Sequence, residues 1–275
     1  MLGASDTSPE VERILIAGYR RMPASQKASL VVESFLTARR MHEAGFRRRN
    51  PHAKPEEAHR EWVLTGVGPG PWVDKMEFSS MDYSQDQIDA IRTVIAVLVD
   101  LNIEYAVGGS YASSHHGIPR YTFDADIAVE PFPGKERLLA LNLTKQALYV
   151  DEGPIREAVS RRSSFNIIDL KTTFKIDIFV NKKRAYDREI FTRRPKAEVL
   201  GANQGLYRVI AAEDSILLKL EWYRLGNEIS DQQWKDVLNV MKIQGDNLDQ
   251  TYLDHWAHEI GVSDLLVRVR ADAQF

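Results

Sequence analysis

Two aspartates one residue apart open an apolar run, Asp124-Ala-Asp126-Ile-Ala-Val-Glu130. Residues two apart in a strand face the same way, so a strand over Ala125–Glu130 sets both carboxylates on one face at its start. Like charges that close repel unless a cation stands between them, and a hard, oxygen-seeking ion such as Mg²⁺ (or Mn²⁺) is the natural partner. A third acid sits in a second apolar run, Phe174-Lys-Ile-Asp177-Ile-Phe-Val180. If the two strands are neighbours, all three acids converge. Such a cluster can hold two metal ions roughly 3.5–4 Å apart, the arrangement used for in-line phosphoryl and nucleotidyl transfer. Asp177 would also accept the proton of an attacking hydroxyl. The competing reading is three unrelated turn and edge acids.

Upstream, a short strand over Glu104–Val107 runs into Gly108-Gly109-Ser110 and then a helix. Backbone N–H groups at such a turn can point at a phosphate. A tight strand-to-helix turn with no ligand explains the same residues. Arg120 stands just before the acids and either pairs with a phosphate or offsets their charge. His115-His116 would lie about 100° apart on a helix, and such an adjacent pair reads as structural rather than as a metal site.

The rest of the chain divides by pattern. Residues 1–66 are helical. Ser8 caps a first helix with Pro9 at its first position, and Val11, Ile14, Leu15 and Tyr19 are expected to share its buried face. Ala28, Val31, Phe35 and Ala38 mark a second helix, Pro51 and Pro55 break it, and a third runs through Trp62. These stripes are narrow, so the segment needs a partner surface. Residues 65–75 form a Gly/Pro-rich break followed by Met76 and Met81, and a linker is expected over 67–82. Residues 83–208 alternate between helix and strand: Ile88, Ile91, Ile95 and Leu98 give a helix, Arg156–Arg162 another, and Ser164–Leu170 and Phe174–Val180 a strand pair. Residues 209–275 return to helices, with stripes at Ile216/Leu217/Leu220/Tyr223, Trp234/Val237/Leu238/Met241, Leu253/Trp256/Ile260 and Leu265/Leu266/Val269.

Two charged residues stand out in that last region. Lys219 is a cation on a strongly apolar helix. Either it snorkels to solvent or it meets a phosphate. Asp236 lies off the Trp234–Met241 stripe and is expected on a solvated face. In the N-terminal segment, Arg39-Arg40 and Arg47-Arg48-Arg49 would meet RNA phosphates or an acidic partner, or else form a solvated helix end that complements the dipole.

The 275 residues are enough for one large domain or two modest ones. An apolar share of 44% and a charged share of 27% exclude disorder over most of the length. With no cysteine, disulfides, zinc thiolates and thiol nucleophiles are excluded. The net charge of -3 and pI of about 6.2 neither require nor exclude a nucleic-acid partner. Met1–Arg20 carries no signal-peptide pattern, and no apolar run spans a bilayer, so a cytoplasmic protein without membrane contact is expected.

Five segments carry a resemblance: Tyr105–Gly117, Asp124-x-Asp126, Lys175-Ile-Asp-Ile-Phe179, Ala212–Trp222 and Asp231–Leu238. In this order they resemble the nucleotidyltransferase superfamily, and within it the AbiEii-type toxin nucleotidyltransferases and related bacterial proteins, over about residues 85–275. The resemblance implies an α/β (α+β) minimal core, a small mixed sheet flanked by helices, with an N-terminal helical segment and a C-terminal helical subdomain. It implies a Mg-dependent enzyme that moves an NMP from an NTP to an acceptor hydroxyl, with RNA or tRNA favoured and a toxin-antitoxin or phage-defence role. Asp124, Asp126 and Asp177 would bind the metal and catalyse. Gly108, Gly109, Ser110, Arg120, Lys219 and Asp236 would bind the nucleotide. Two departures stand against the pattern: Ala125 occupies a position where a larger aliphatic residue is usual, and the helices after residue 211 vary most with substrate, which leaves Asp236 the least secure of these transfers. Residues 1–66 are similar to short helical proteins that accompany such enzymes as separate chains, which makes a cognate antitoxin or partner protein at these helices one expectation. A catalytically silent nucleotide-binding or regulatory protein, or an enzyme that modifies a protein, fits the same residues.

Overall fold

The computed structural model describes residues 9–67, 83–172 and 174–273. The linker at 67–82 and the cap at Ser8 lie, but for Val67, outside the described residues. The chain forms two compact units. One, the helical unit, comprises 1–29, 109–119 and 192–275; the other, the sheet unit, comprises 30–108 and 120–191.

The sheet unit is built on five strands: β1 (Tyr105–Val107), β2 (Asp124–Val129), β3 (Leu148–Tyr149), β4 (Ser164–Asp169) and β5 (Lys175–Val180). Their order is β1-β2-β5-β4-β3. β2 and β5 run parallel at the centre, and the other pairings are antiparallel, so the sheet is mixed. The class is therefore α/β, a mixed five-stranded sheet with helices against it. In β2 and β5 burial alternates residue by residue. Ala125, Ile127, Val129, Ile176, Ile178 and Val180 form the closed face. Asp124, Asp126, Lys175 and Asp177 lie on the other, because the strand period is two. Helix α4 (Tyr83–Asp100) buries Ile88, Ile91, Ile95 and Leu98, as the stripe predicts, and α6 (Glu136–Thr144), α7 (Glu152–Arg161) and α8 (Ala185–Arg193) follow later in the chain.

The N-terminal helices find their partner surface. From residue 30 onward, α2 (Ala24–Arg49) belongs to the sheet unit together with α3 (Pro55–Val67). Phe35, Trp62 and Val63 pack on Ile168 of β4, with Phe123 and Tyr149 at the edge. Trp62 stands 5.7 Å from Phe35 and 4.7 Å from Phe123, ring to ring. A polar clasp joins the two helices: His42 bonds Glu61, and Glu43 takes Arg39 at 2.6 Å and His59 at 3.7 Å.

The helical unit contains α1 (Pro9–Arg21), α5 (Gly109–His116), α9 (Ala212–Leu225), α10 (Asp231–Gln244), α11 (Gln250–Glu259) and α12 (Ser263–Ala273). Helices α5, α9, α12 and α1 all pack on α10. The contact of α1 is not the expected one. Val11, Ile14 and Leu15 are exposed and Ile16 is buried. Polar anchoring sets this rotation: Lys242 Nζ meets Glu12 at 2.6 Å, and Arg20 donates twice to the Lys242 carbonyl, at 2.6 and 3.1 Å. Positions 12, 16 and 20 share a helix face, and that face wins over the apolar stripe. No helix among the described residues is long and apolar enough to cross a membrane.

Candidate functional site

The three acids of the sheet unit owe their placement to one strand register. β2 and β5 run parallel with Asp124 opposite Lys175 and Asp126 opposite Asp177. Paired residues in a sheet present side chains to the same face, so three carboxylates and one ammonium share a small area. Asn166 of β4 pairs with Asp177 on its other side and is exposed on that face.

The polar contacts within this group are definite. Thr122, buried just ahead of the strand, donates its hydroxyl to Asp124 Oδ1 at 2.8 Å. The Lys175 Nζ lies 2.7 Å from Asp177 Oδ2 and 3.9 Å from Asp124 Oδ2. Lys175 is the residue that reasoning from the sequence missed. The signal was there: Lys175 and Asp177 are two apart on the same strand. Thr122 was noticed for its position, but its role as an orienting donor needed coordinates.

Electrostatics follow from these contacts. Burial raises the pKa of Asp177, the charge of Asp124 adds to this, and Lys175 offsets only part of it, so Asp177 stands above the ordinary carboxylate range. For Lys175, burial works against the ammonium, but the hydrogen bond and charge of Asp177 and the charges of Asp124 and Asp126 outweigh it and hold the pKa above its usual value. Asp177 is thus a carboxylate with more proton affinity than most, and Lys175 is firmly a cation.

The turn after β1 is partly committed. Gly108 donates its N–H to the Asp126 carbonyl at 2.8 Å, extending the β1–β2 ladder. That donor serves the sheet and not a phosphate. Gly109 takes φ of 52°, a left-handed value that glycine reaches without strain, and opens α5. Arg120 donates Nη1 to the Tyr121 carbonyl at 3.0 Å. In the helical unit, His116 Nε2 stands 2.7 Å from the Ile210 carbonyl, and its ring meets that of His115 edge-on at 4.7 Å. Burial lowers the pKa of His115 to about 3 and that of His116 to about 4, with the neighbouring charges of His116 and Lys27 adding to the first and that of Lys27 to the second, against the Ile210 hydrogen bond. These are packed neutral imidazoles, in keeping with the structural reading.

Lys219 and Asp236 are brought together in the helical unit, across α9 and α10. Lys219 Nζ donates to Asp236 Oδ2 at 2.8 Å and to Gln233 Oε1 at 3.1 Å. Gln232 donates to the other carboxylate oxygen at 2.9 Å. Both charged residues are buried. Two expectations fall: Lys219 does not snorkel to solvent, and Asp236 is not on a solvated face. The reason is mutual. Each makes burial of the other tolerable.

Whether the acid face fits a divalent ion is answered by its chemistry. Among the described residues, no three His, Asp or Glu side chains stand close enough as placed to hold one. Yet the donors are all carboxylate oxygens, the choice of Mg²⁺ and Mn²⁺. One of them is oriented by Thr122, and the face has already drawn in a cation. Asp124, Asp126 and Asp177 carry the oxygen donors that suit such an ion, and the Lys175 ammonium now lies against two of them.

No family model matches the chain, and no curated protein is significantly similar to it. Solved structures do resemble it. The solution structure of the antibiotic-resistance factor ANT(2'')-Ia shares 15% identity, covering 70% of this chain and 96% of that one at a TM-score of 0.40. A crystal structure of ANT(2'')-Ia in complex with adenylyl-2''-tobramycin covers 68% and 99%, at 15% identity and 0.39. An antigenic nucleotidyltransferase-like protein from Paracoccidioides brasiliensis covers 68% and 93%, also at 15% and 0.39.

Proposed function

We propose that this chain is a Mg²⁺- or Mn²⁺-dependent nucleotidyltransferase that moves an NMP from an NTP onto an acceptor hydroxyl. One observation carries the reading: the parallel β2–β5 register that sets Asp124, Asp126 and Asp177 on one open face behind a closed apolar one. Carboxylates gathered so closely cost free energy in a protein with no cation to bind there.

Asp124, Asp126 and Asp177 would hold the metal, which supplies charge neutralisation at the phosphate and alignment for in-line attack. Thr122 fixes the Asp124 carboxylate so that its second oxygen faces the site. Asp177, the third acid of the cluster, is the group assigned to take the proton of the acceptor hydroxyl. The resemblance assigns Gly109, Ser110 and Arg120 to the nucleotide phosphates; Lys219, buried against Asp236 in the helical unit, is left to fix α9 on α10. For the acceptor we favour an RNA 3′ end, tRNA included, on the resemblance over about residues 85–275 and on the exposed Arg47, Arg48 and Arg49 that end α2. A role as the toxin of a toxin-antitoxin or phage-defence pair, with a cognate antitoxin or partner protein meeting the N-terminal helices, follows from the same resemblance.

A second reading, a nucleotide-binding protein without turnover, is favoured by Lys175, which holds the acids as an ion pair. Incubation with labelled NTPs, Mg²⁺ and total RNA separates the two. Wild type should label RNA and Asp126→Ala should not. Equal labelling by both sinks the proposal, whereas labelled protein and unlabelled RNA would move the acceptor to a protein side chain, checked by intact mass.

A further inference from the structure

Lys175 has one favourable direction for its charge. On its β4 side it pairs with Ile168, which lies buried under Phe35, Trp62 and Val63. That surface offers an ammonium nothing. On its β2 side it pairs with Asp124, and two residues along its own strand stands Asp177. The ammonium turns to the acids and reaches both, at 3.9 and 2.7 Å. A lysine side chain is long and mobile, and about a quarter of this one remains exposed, 24%. It is held by charge rather than by enclosure.

We propose that Lys175 is a resident counter-cation of the acid face, one that a divalent ion must displace. In its absence from Asp177 the three carboxylates would repel, and with it they are gathered and partly neutralised. Metal binding is then an exchange of cations. The Asp177 oxygen that now accepts from Lys175 is released to the ion, and the ammonium swings toward solvent on the same face. This predicts a site that is well formed without metal and binds metal more weakly than its carboxylates alone would. The inference rests on the reading that these acids bind a divalent ion, and the experiment tells the two apart.

Mn²⁺ affinity is measured by calorimetry and by the EPR signal of the free ion for full-length wild type, Lys175→Met, Lys175→Gln and Asp177→Asn, with the thermal midpoint recorded with and without Mn²⁺. Removing a cation about 4 Å from the site is expected to tighten Mn²⁺ binding by roughly tenfold or more. The metal-free midpoint of Lys175→Met should fall, and Mn²⁺ should raise it by more than it raises the wild type. Lys175→Gln repeats the measurement with a polar side chain should the methionine variant fail to fold. If wild type binds Mn²⁺, Asp177→Asn abolishes that binding, and both lysine variants bind no more tightly than wild type, the counter-cation is refuted and the metal site stands. If no form binds Mn²⁺, both readings fall.

Discussion

Removing the carboxylate of Asp236 tests whether the Lys219–Asp236 pair holds the helical unit together. Side-chain exposures of 9% for Lys219 and 3% for Asp236 mean that water screens the pair very little. In Asp236→Ala the ammonium retains only Gln233 Oε1, and Gln232 loses its acceptor. Stranding one charge of a buried pair costs about 3–5 kcal/mol. Lys219→Met strands the carboxylate instead, with Gln232 still donating to it, and should cost a comparable amount. The double variant Lys219→Met/Asp236→Ala removes both charges and should recover most of the loss, to within about 1–2 kcal/mol of wild type. Urea unfolding of the four proteins at pH 7 yields the cycle. Asp236→Ala within about 1 kcal/mol of wild type, or a double variant equal to the sum of the singles, would show that the pair is not a unit.

Three further outcomes follow from particular contacts. A Cβ at Gly117 would stand 2.9 Å from the Ser113 carbonyl and 3.0 Å from the Val240 nitrogen, both backbone, so Gly117→Ala should destabilise by about 1–3 kcal/mol in urea unfolding. Trp62→Ala empties the centre of the cluster over Ile168 and should cost about 3–5 kcal/mol by the same measurement. His116, with its pKa lowered to about 4, takes up a proton less readily folded than unfolded; stability therefore falls as pH drops from about 6.5 to about 4, by on the order of 3 kcal/mol. His115 slopes the same way, whereas Asp169 and Asp177, with raised values, slope the other way. The difference between wild type and His115→Asn/His116→Gln over that window isolates the imidazoles, and an unchanged slope in the double variant would refute the assignment.

What the sequence disclosed tracks what is periodic. The alternation in 124–129 and 175–180 and the stripes at Ile88/Ile91/Ile95/Leu98 and Ile216/Leu217/Leu220/Tyr223 are local patterns that burial enforces, and these residues adopt the expected elements. Where a polar contact competed with the pattern, it failed. The apolar stripe of α1 lost to Glu12 and Arg20, whose partner Lys242 lies 230 and 222 residues away in sequence. Asp236 read as solvated because its partner, Lys219, is on another helix. Lys175 was hidden differently. Its strand was expected, but which acids its ammonium would reach depends on the register with β2, and a slip by one residue would move the whole set to the other face.

The two lysine–aspartate pairs, alike in chemistry, differ in depth, and depth assigns their work. Lys219–Asp236, almost closed to water, gains or loses its charges only at a cost comparable to a large share of a domain's total stability. Such a pair can fix two helices but is a poor place for a charge to come and go. Lys175–Asp177 is shallower, at 24% and 13%, and its lysine has water within reach. Parting this pair would cost about what parting a partly exposed ion pair costs. The same gradient explains why three carboxylates can share one face here at all. They sit beside the Lys175 ammonium, above a strand face so apolar that the register holding them cannot drift.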